Sequence, residues 1–428
     1  MEKFVIKGGR QLSGEVRPGG NKNEALPCLA AALLTDSPVV LENLPKIRDV
    51  EVMIEVLERL GCAISWLDTH TLQIVGPSIV DAIELPVELC TRIRASILFA
   101  GPLLGRQGRV SLPPPGGDVI GRRRLDTHFL GFEALGASIT WDNALYRIEA
   151  RSLVGAEIFL DEASVTGTEN IVMAAVLAQG TTVIHHAACE PHVQGMCRML
   201  VAMGASIDGI GTNRLVIKGV ARLGGCTHRI SSDFMEISSW IGLAAMTRSA
   251  LTIHDVVPED LRMVRVVYAR LGVRFEISDN RIFVPADQAL EIVNDFHGEI
   301  PQISDAPWPA FPTDLMSIAI TMSTIAKGTV LFFEKMFEGR MFFVDSLKSM
   351  GARIILCDPH RAVVVGPAKL YGATLESPDV RAGMALLIAA LTAEGTSTIY
   401  NIRQIDRGYE RIDEKLRALG ADVTRLPA

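Results

Sequence analysis

No two cysteines in this 428-residue sequence are spaced C-x-x-C, and the seven that occur, at 28, 62, 90, 189, 197, 226 and 357, are scattered and odd in number. That pattern argues against a disulfide framework and against a zinc site, and it fits a reducing compartment. An excess of positive charge is also missing: 42 Lys and Arg stand against 49 Asp and Glu, a net charge of -7. No global basic field is available for nucleic acid or an anionic membrane, so an anionic ligand must be met by a local cluster of Arg and Lys. Long apolar runs are absent too. The stretches near 25–34 and 382–391 are too short to span a bilayer, and MEKFVIKGGR lacks the apolar core of a secretory signal. Aromatics are few, at 6%, but 48% of residues are hydrophobic and only 21% charged, which excludes a disordered or fibrous chain. The expectation is a cytoplasmic protein with several packed cores, a monomer or weak homo-oligomer, with no nucleic-acid or membrane partner.

What the sequence does contain is a repeat. A helical stretch, a large apolar residue, Gly and a strand recur as LERLGCAI at Gly61, FEALGASI at Gly136, LVAMGASI at Gly204, YARLGVRF at Gly272, LKSMGARI at Gly351 and LRALGADV at Gly420. The period is roughly 70 residues, longer than a solenoid turn, so each copy reads as a small subdomain. An apolar helix such as NIVMAAVLAQ leads to a β-branched strand such as GTVLFF, then an amphipathic helix ended by Gly, then a hairpin. The unit is α-β-α-β-β. The sixth copy lacks its second hairpin strand, and KFVIKGG at 3–9 resembles RLVIKGV at 214–220, so the N-terminus is expected to complete it. This predicts an α/β fold of two lobes, each of three repeats with pseudo-threefold symmetry: a continuous lobe, 22–231, and a discontinuous one, 1–21 plus 232–428.

Unusual polar residues fall in two slots of the repeat. The start of the apolar helix holds Lys22 and Asn23, Arg94, Thr168 to Asn170, Asp233, Asp314 and Arg381. The loop after the strand holds Arg48, GGDVIGRRR at 116–124, Phe337 and Arg340, and Asp406 and Arg407. Helix N-termini offer free N–H groups and partial positive charge, so converging slots would bind anions, in a cleft between the lobes. Lys22 in GGNKNEALP is either a phosphate ligand or a solvated lysine on a turn. PPPGGDVIGRRR combines stiff prolines, permissive glycines, Asp118 and three arginine forks suited to phosphate or carboxylate, and the 112–124 stretch is expected to be mobile. Asp314, Asp379 and Asp406 read, each taken alone, as helix caps. His128 and the His185–His186 pair have no companions at metal-ligand spacing.

Together GGNKNEALP, RIRASILFAGPL, LPPPGGDVIGRRRLDTH, SVTGTEN, PAFPTD, FEGR, DVRAG and IDRGYERI resemble the UDP-N-acetylglucosamine 1-carboxyvinyltransferases, of the enolpyruvyl transferase family, over essentially the whole chain. The resemblance implies an inside-out α/β barrel fold, no cofactor or metal, and two substrates, phosphoenolpyruvate and UDP-N-acetylglucosamine, joined by addition and elimination in the first committed step of peptidoglycan synthesis. It assigns Lys22, Asn23, Arg123 and Arg407 to phosphoenolpyruvate. Asn23, Arg94, Arg124, Leu125, Asp126, Ser164, Thr166, Asp314, Met336 and Phe337 would contact the UDP-sugar. Arg48, Arg340, Asp379 and Arg381 would form a charged ring, and Asp314 would be the base on the sugar hydroxyl. Catalytic roles fall to Asp118, Lys22, Asp314 and Arg407.

The sequence departs from the common pattern where many members carry a loop Cys: here stands Asp118. A carboxyl there is expected to act as the acid or to assist product release, and to resist fosfomycin, which alkylates the usual thiolate. Arg124 stands where proline is common, SVTGT replaces SVGAT, Gln404 replaces His, and Phe234 and Met235 follow Asp233 where Arg-Ile is usual. These changes bear on the uridine and diphosphate contacts. The rival readings are another acceptor nucleotide such as UMP; shikimate 3-phosphate as in the sister synthases, whose motifs differ from GGDVIGRRR and IDRGYERI; and a non-catalytic regulator that binds the UDP-sugar, against which Lys22, Arg123, Asp314, Arg381 and Arg407 argue.

Overall fold

The structure, a computed structural model, describes residues 2–78, 84–118 and 120–428. Val119, inside the expected mobile loop, lies outside the described residues. The chain divides into two compact units: residues 20–118 with 123–231, here the first unit, and residues 1–19, 119–122 and 232–428, the second. Each unit has its own hydrophobic core. No helix of the described residues is long and apolar enough to cross a membrane.

Each core is built on three buried helices. In the second unit these are Phe234–Met246, Met316–Ser323 and Val380–Thr392, which pack on one another. All residues of Phe234–Met246 are buried, as an apolar-all-round sequence such as FMEISSWIGLAAM requires. In the first unit they are Lys22–Ala31, Ala100–Gln107 with the 3₁₀ turn Arg94–Phe99 ahead of it, and Val165–Ala175. The six glycines of the repeat phrase all take positive φ, between +76° and +107°, ending their amphipathic helices as expected.

Six small sheets surround these helices, three in each unit, and none closes on itself among the described residues. The hairpin pattern is the one read from the sequence. Strand Val39–Glu42 pairs antiparallel with Leu72–Val75, which pairs with Ala63–Trp66, and the other repeats follow suit. The N-terminal strand Glu2–Lys7 lies between Thr396–Tyr400 and Asp422–Pro427, so it does complete the sixth repeat.

The structure adds an element that the α-β-α-β-β reading missed. A short strand leaves each repeat and pairs parallel with the next one's central strand: Glu157–Phe159 with Thr181–His185, Gln302–Ser304 with Gly328–Phe333, and Thr374–Glu376 with Thr396–Tyr400. Glu84 makes the same link to Ser111 as a single bridge. Cys226–Arg229, leaving the third repeat, pairs parallel with Val39–Glu42 of the first, and Ser13–Val16 pairs with Ala250–Ile253. The links therefore run in a closed cycle of three within each unit. At three or four residues, these strands are too short for a period-2 pattern to register.

Phe4, fully buried on the N-terminal strand, joins the chain's two ends to one core. Phe4→Ala is expected to lower the unfolding free energy of the second unit by about 3–5 kcal/mol in a urea titration. A cost under about 1 kcal/mol would show that the strand is not an integral part of that core.

Candidate active site

In the first unit, Asn21 caps helix Lys22–Ala31 by accepting from the Glu24 N–H. Lys22 is almost wholly buried, and its Nζ lies 2.6 Å from Asp49 Oδ2, itself buried in the first turn of helix Arg48–Arg59. Sequence reasoning chose Arg48, which is exposed; the next residue turns inward. An acidic residue in the first turn of a helix is common, so nothing in the sequence marks Asp49. Asn23 is half-buried beside Lys22.

Four other expected residues of this unit, Arg94, Arg123, Arg124 and Asp126, meet directly. Arg94 Nη2 donates to the carbonyls of Arg123, at 2.6 Å, and Arg124, at 3.0 Å, which ties the arginine run back onto the turn that Arg94 opens. Burial, and then the Arg123 charge, push the Arg94 guanidinium down to about 10. Arg124 pairs with Asp161 and lies 3.4 Å from Asp126, while Thr127 donates to Asp161 at 2.7 Å. Leu125 is buried between them in sequence. Ser164 caps Val165–Ala175 through the Gly167 N–H. Thr166 meets His128 Nε2 at 3.2 Å, and His128 Nδ1 meets Asn170 at 2.9 Å. Burial, with Arg94 adding to it, pushes His128 down to about 3, so it stays neutral and holds Thr166 as a hydrogen-bonding partner. Spacing alone gave no hint of this, because the three residues come from two helices.

The second unit holds the densest charge network. Arg381, buried in the first turn of Val380–Thr392, donates through Nε to Asp314 Oδ2 at 3.1 Å and through Nη1 to the Tyr409 hydroxyl at 3.1 Å. Arg340, whose side chain is 10% exposed, takes the other Asp314 oxygen and lies 4.0 Å from Asp379. Asp233 lies 4.0 Å from Arg381. Burial opposes charge on both arginines, but the fields of Tyr409, Asp314 and Asp233 on Arg381, and of Asp314, Asp379 and Glu334 on Arg340, outweigh it and raise both. Arg340 Nε remains buried with no acceptor.

The capping expectation holds for Asp379, which accepts from the N–H groups of Arg381 and Ala382, and fails for two others. Asp314 spends both oxygens on arginines, and Asp406 is held bidentate by Arg425 at 2.9 and 2.8 Å. At these two positions charge-assisted pairing replaces capping. Arg407 meets Gln404 at 2.9 Å in the same turn.

Glu334 organises the Met336–Phe337 stretch. It accepts from both of those amides at 3.1 Å and from the hydroxyl of Thr313, the neighbour of Asp314. Burial, then the Asp305 carboxyl beside it, push Glu334 upward. Of the glycine-rich loop, half-buried Asp118 belongs to the first unit and Ile120–Arg122 to the second. There Gly339 N–H donates to the Ile120 carbonyl at 2.9 Å and Glu338 accepts from the Arg122 N–H at 3.0 Å. Gly121 sits at φ +137°, and a Cβ on it would lie 2.5 Å from the Glu338 carboxylate, so only glycine fits there.

The chain is similar to known proteins along nearly its whole length. The family model for EPSP synthase (3-phosphoshikimate 1-carboxyvinyltransferase) matches residues 6–416. A UDP-N-acetylglucosamine 1-carboxyvinyltransferase of Bradyrhizobium diazoefficiens is 56% identical over 99% of this chain and 98% of its own. One from Treponema denticola is 53% identical over 99% of both chains. The crystal structure of the enolpyruvyl transferase NikO from Streptomyces tendae superposes with a TM-score of 0.89 at 25% identity, over 100% of this chain and 99% of that one. The chain belongs to the enolpyruvyl transferase family, with the UDP-N-acetylglucosamine 1-carboxyvinyltransferases as its high-identity relatives.

Proposed function

We propose that this protein transfers the enolpyruvyl group of phosphoenolpyruvate to the 3′-hydroxyl of UDP-N-acetylglucosamine, releasing phosphate, in the cytoplasmic synthesis of peptidoglycan. The observation that carries the reading is Asp314 held between two arginines, Arg340 and the buried Arg381. A carboxylate fixed in this way cannot turn from its target, and its surroundings need no reorganisation when charge moves.

In the addition step, Asp314 takes the proton of the 3′-hydroxyl as its oxygen bonds to C2 of phosphoenolpyruvate, and an acid delivers a proton to the methylene carbon. A tetrahedral ketal results. In the elimination step, a proton leaves the new methyl group and the C2–O bond to phosphate breaks, which restores the enol ether. Asp118 is the proton donor in this scheme or the group that assists product release. Lys22, Asn23, Arg123 and Arg407 hold the donor's phosphate and carboxylate. Arg94, Arg124, Leu125, Asp126, Ser164, Thr166, Met336 and Phe337 hold the nucleotide sugar. Arg340, Asp379 and Arg381 fix Asp314. Arg48, exposed in the first unit, has the weakest support of the expected set.

Phosphate release from phosphoenolpyruvate, with UDP-N-acetylglucosamine, UMP and shikimate 3-phosphate offered separately, tests the acceptor. Turnover is expected with the first alone, and Asp314→Asn is expected to lower kcat by about 10²–10⁴-fold. Turnover only with UMP would keep the chemistry and overturn the acceptor; binding of the UDP-sugar without any phosphate release would indicate a regulator. For fosfomycin, intact mass after prolonged incubation is expected to show unmodified protein, since a carboxylate at 118 is a far weaker nucleophile than a thiolate. A stable adduct on the 112–124 loop would contradict that expectation.

A further inference from the structure

The spacing of Cys and His along the chain gave no sign of a metal site, but folding assembles one candidate in the first unit. Glu24 and Cys28 lie four apart, on one face of helix Lys22–Ala31. Cys226 and His228 lie two apart on strand Cys226–Arg229, both half-buried where Thr227 and Arg229 are exposed. Ligand atoms of Glu24, Cys28 and His228 all lie within 4.8 Å of one another. Roughly 200 residues separate the two elements, which is why no linear motif shows.

Ordinary hydrogen bonding explains part of the cluster. Glu24 accepts from His228 Nε2 at 2.9 Å and from the Ser231 N–H at 3.2 Å. It does not explain why a thiol with no exposure, Cys28, faces that carboxylate. A second carboxyl, Glu169, is 1% exposed, and its Oε1 has no hydrogen-bond partner. Burial, and then the nearby Glu24 and Glu169 carboxyls, raise the Cys28 thiol; burial, and then Glu169, raise Cys197. Among the described residues, neither Glu24 nor Glu169 has a Lys or Arg partner. Three thiols, two carboxyls and one imidazole thus gather in one buried to half-buried region, where His228 pairs with Glu24 and the Arg198 charge acts on Cys197.

We propose that Glu24, Cys28 and His228 bind a divalent cation of the zinc class, with Cys226 or a water as fourth ligand. One carboxylate and one thiolate neutralise the ion, and the mixed S, N and O set disfavours calcium and magnesium. Tetrahedral bonds of about 2.0–2.3 Å put ligand atoms about 3.5 Å apart, so side-chain shifts of about 1 Å suffice. Binding exchanges the His228–Glu24 hydrogen bond for two bonds to a shared ion. The Cys28 thiol releases its proton to solvent, so affinity falls as pH falls. The ion would lock the helix that opens with Lys22 to strand Cys226–Arg229.

Full-length protein stripped with chelator and titrated with Co²⁺ tests it. One equivalent is expected to bind with a thiolate-to-cobalt charge-transfer band, and zinc is expected to displace it. Cys28→Ser and His228→Gln should each lose the band or weaken binding at least about tenfold, while Cys357→Ser, at an exposed thiol elsewhere, leaves it unchanged. If Cys28→Ser fails to fold, His228→Gln carries the test, because that side chain is only partly buried. Absence of a thiolate band in the wild type would overturn the proposal. So would binding that is unchanged in both ligand variants, or a Cys28–Cys226 disulfide in the protein as isolated.

Discussion

A guanidinium buried in the first turn of an otherwise apolar helix is the constraint around which the second unit is arranged. Arg381 sits in a stretch, VRAGMALLIAALT, whose other side chains want only a dry core. A charge in that position costs several kcal/mol unless matched, so the fold must bring carboxylates to it. Asp314 comes from a different repeat, Asp233 from a third, and the Tyr409 hydroxyl from the turn after the sixth repeat's strand. Matching one arginine therefore draws the helix starts of three repeats towards one another. Arg340 repeats the arrangement from the loop slot, and the two arginines together fix the carboxylate between them.

Cyclic closure is what makes this convergence available. The parallel strand that leaves each repeat commits the next repeat's central strand to a fixed neighbour, and after three repeats the cycle is complete. Equivalent helix starts then recur at equivalent places, and sequence differences at those starts become differences in chemistry. In the first unit the slots hold Lys22, Arg94 and Thr168; in the second they hold Asp233, Asp314 and Arg381. The former gathers positive charge and hydroxyls, and the latter a matched ion network.

Much of this was legible in the sequence because it is periodic. Six helix-ending glycines and alternating helices and strands carry the repeat, and even the use of the N-terminal strand by the last repeat followed from KFVIKGG. The resemblance assigned most of the charged residues, and the structure brings Arg94 to Arg123 and Arg124, and Asp314 to Arg340 and Arg381. What stayed hidden depends on three-dimensional partnership. Asp314 and Asp406 looked like caps because capping is a local rule, whereas the arginines that claim them lie 26 and 19 residues or more away. Asp49, His128 and Glu334 have ordinary sequence surroundings and acquire roles only through Lys22, Thr166 and the Met336–Phe337 amides. The Glu24–Cys28–His228 group was invisible for the same reason.

A double-mutant cycle on unfolding free energy, with Arg381→Met, Asp314→Asn and the pair, tests most directly whether the buried arginine dictates the network. The account predicts that each single variant loses about 3 kcal/mol, by stranding the other's charge, and that the double variant recovers about 2 kcal/mol of the summed loss. Strictly additive losses would contradict it, because they would mean that Asp314 and Arg381 occupy their places independently of each other.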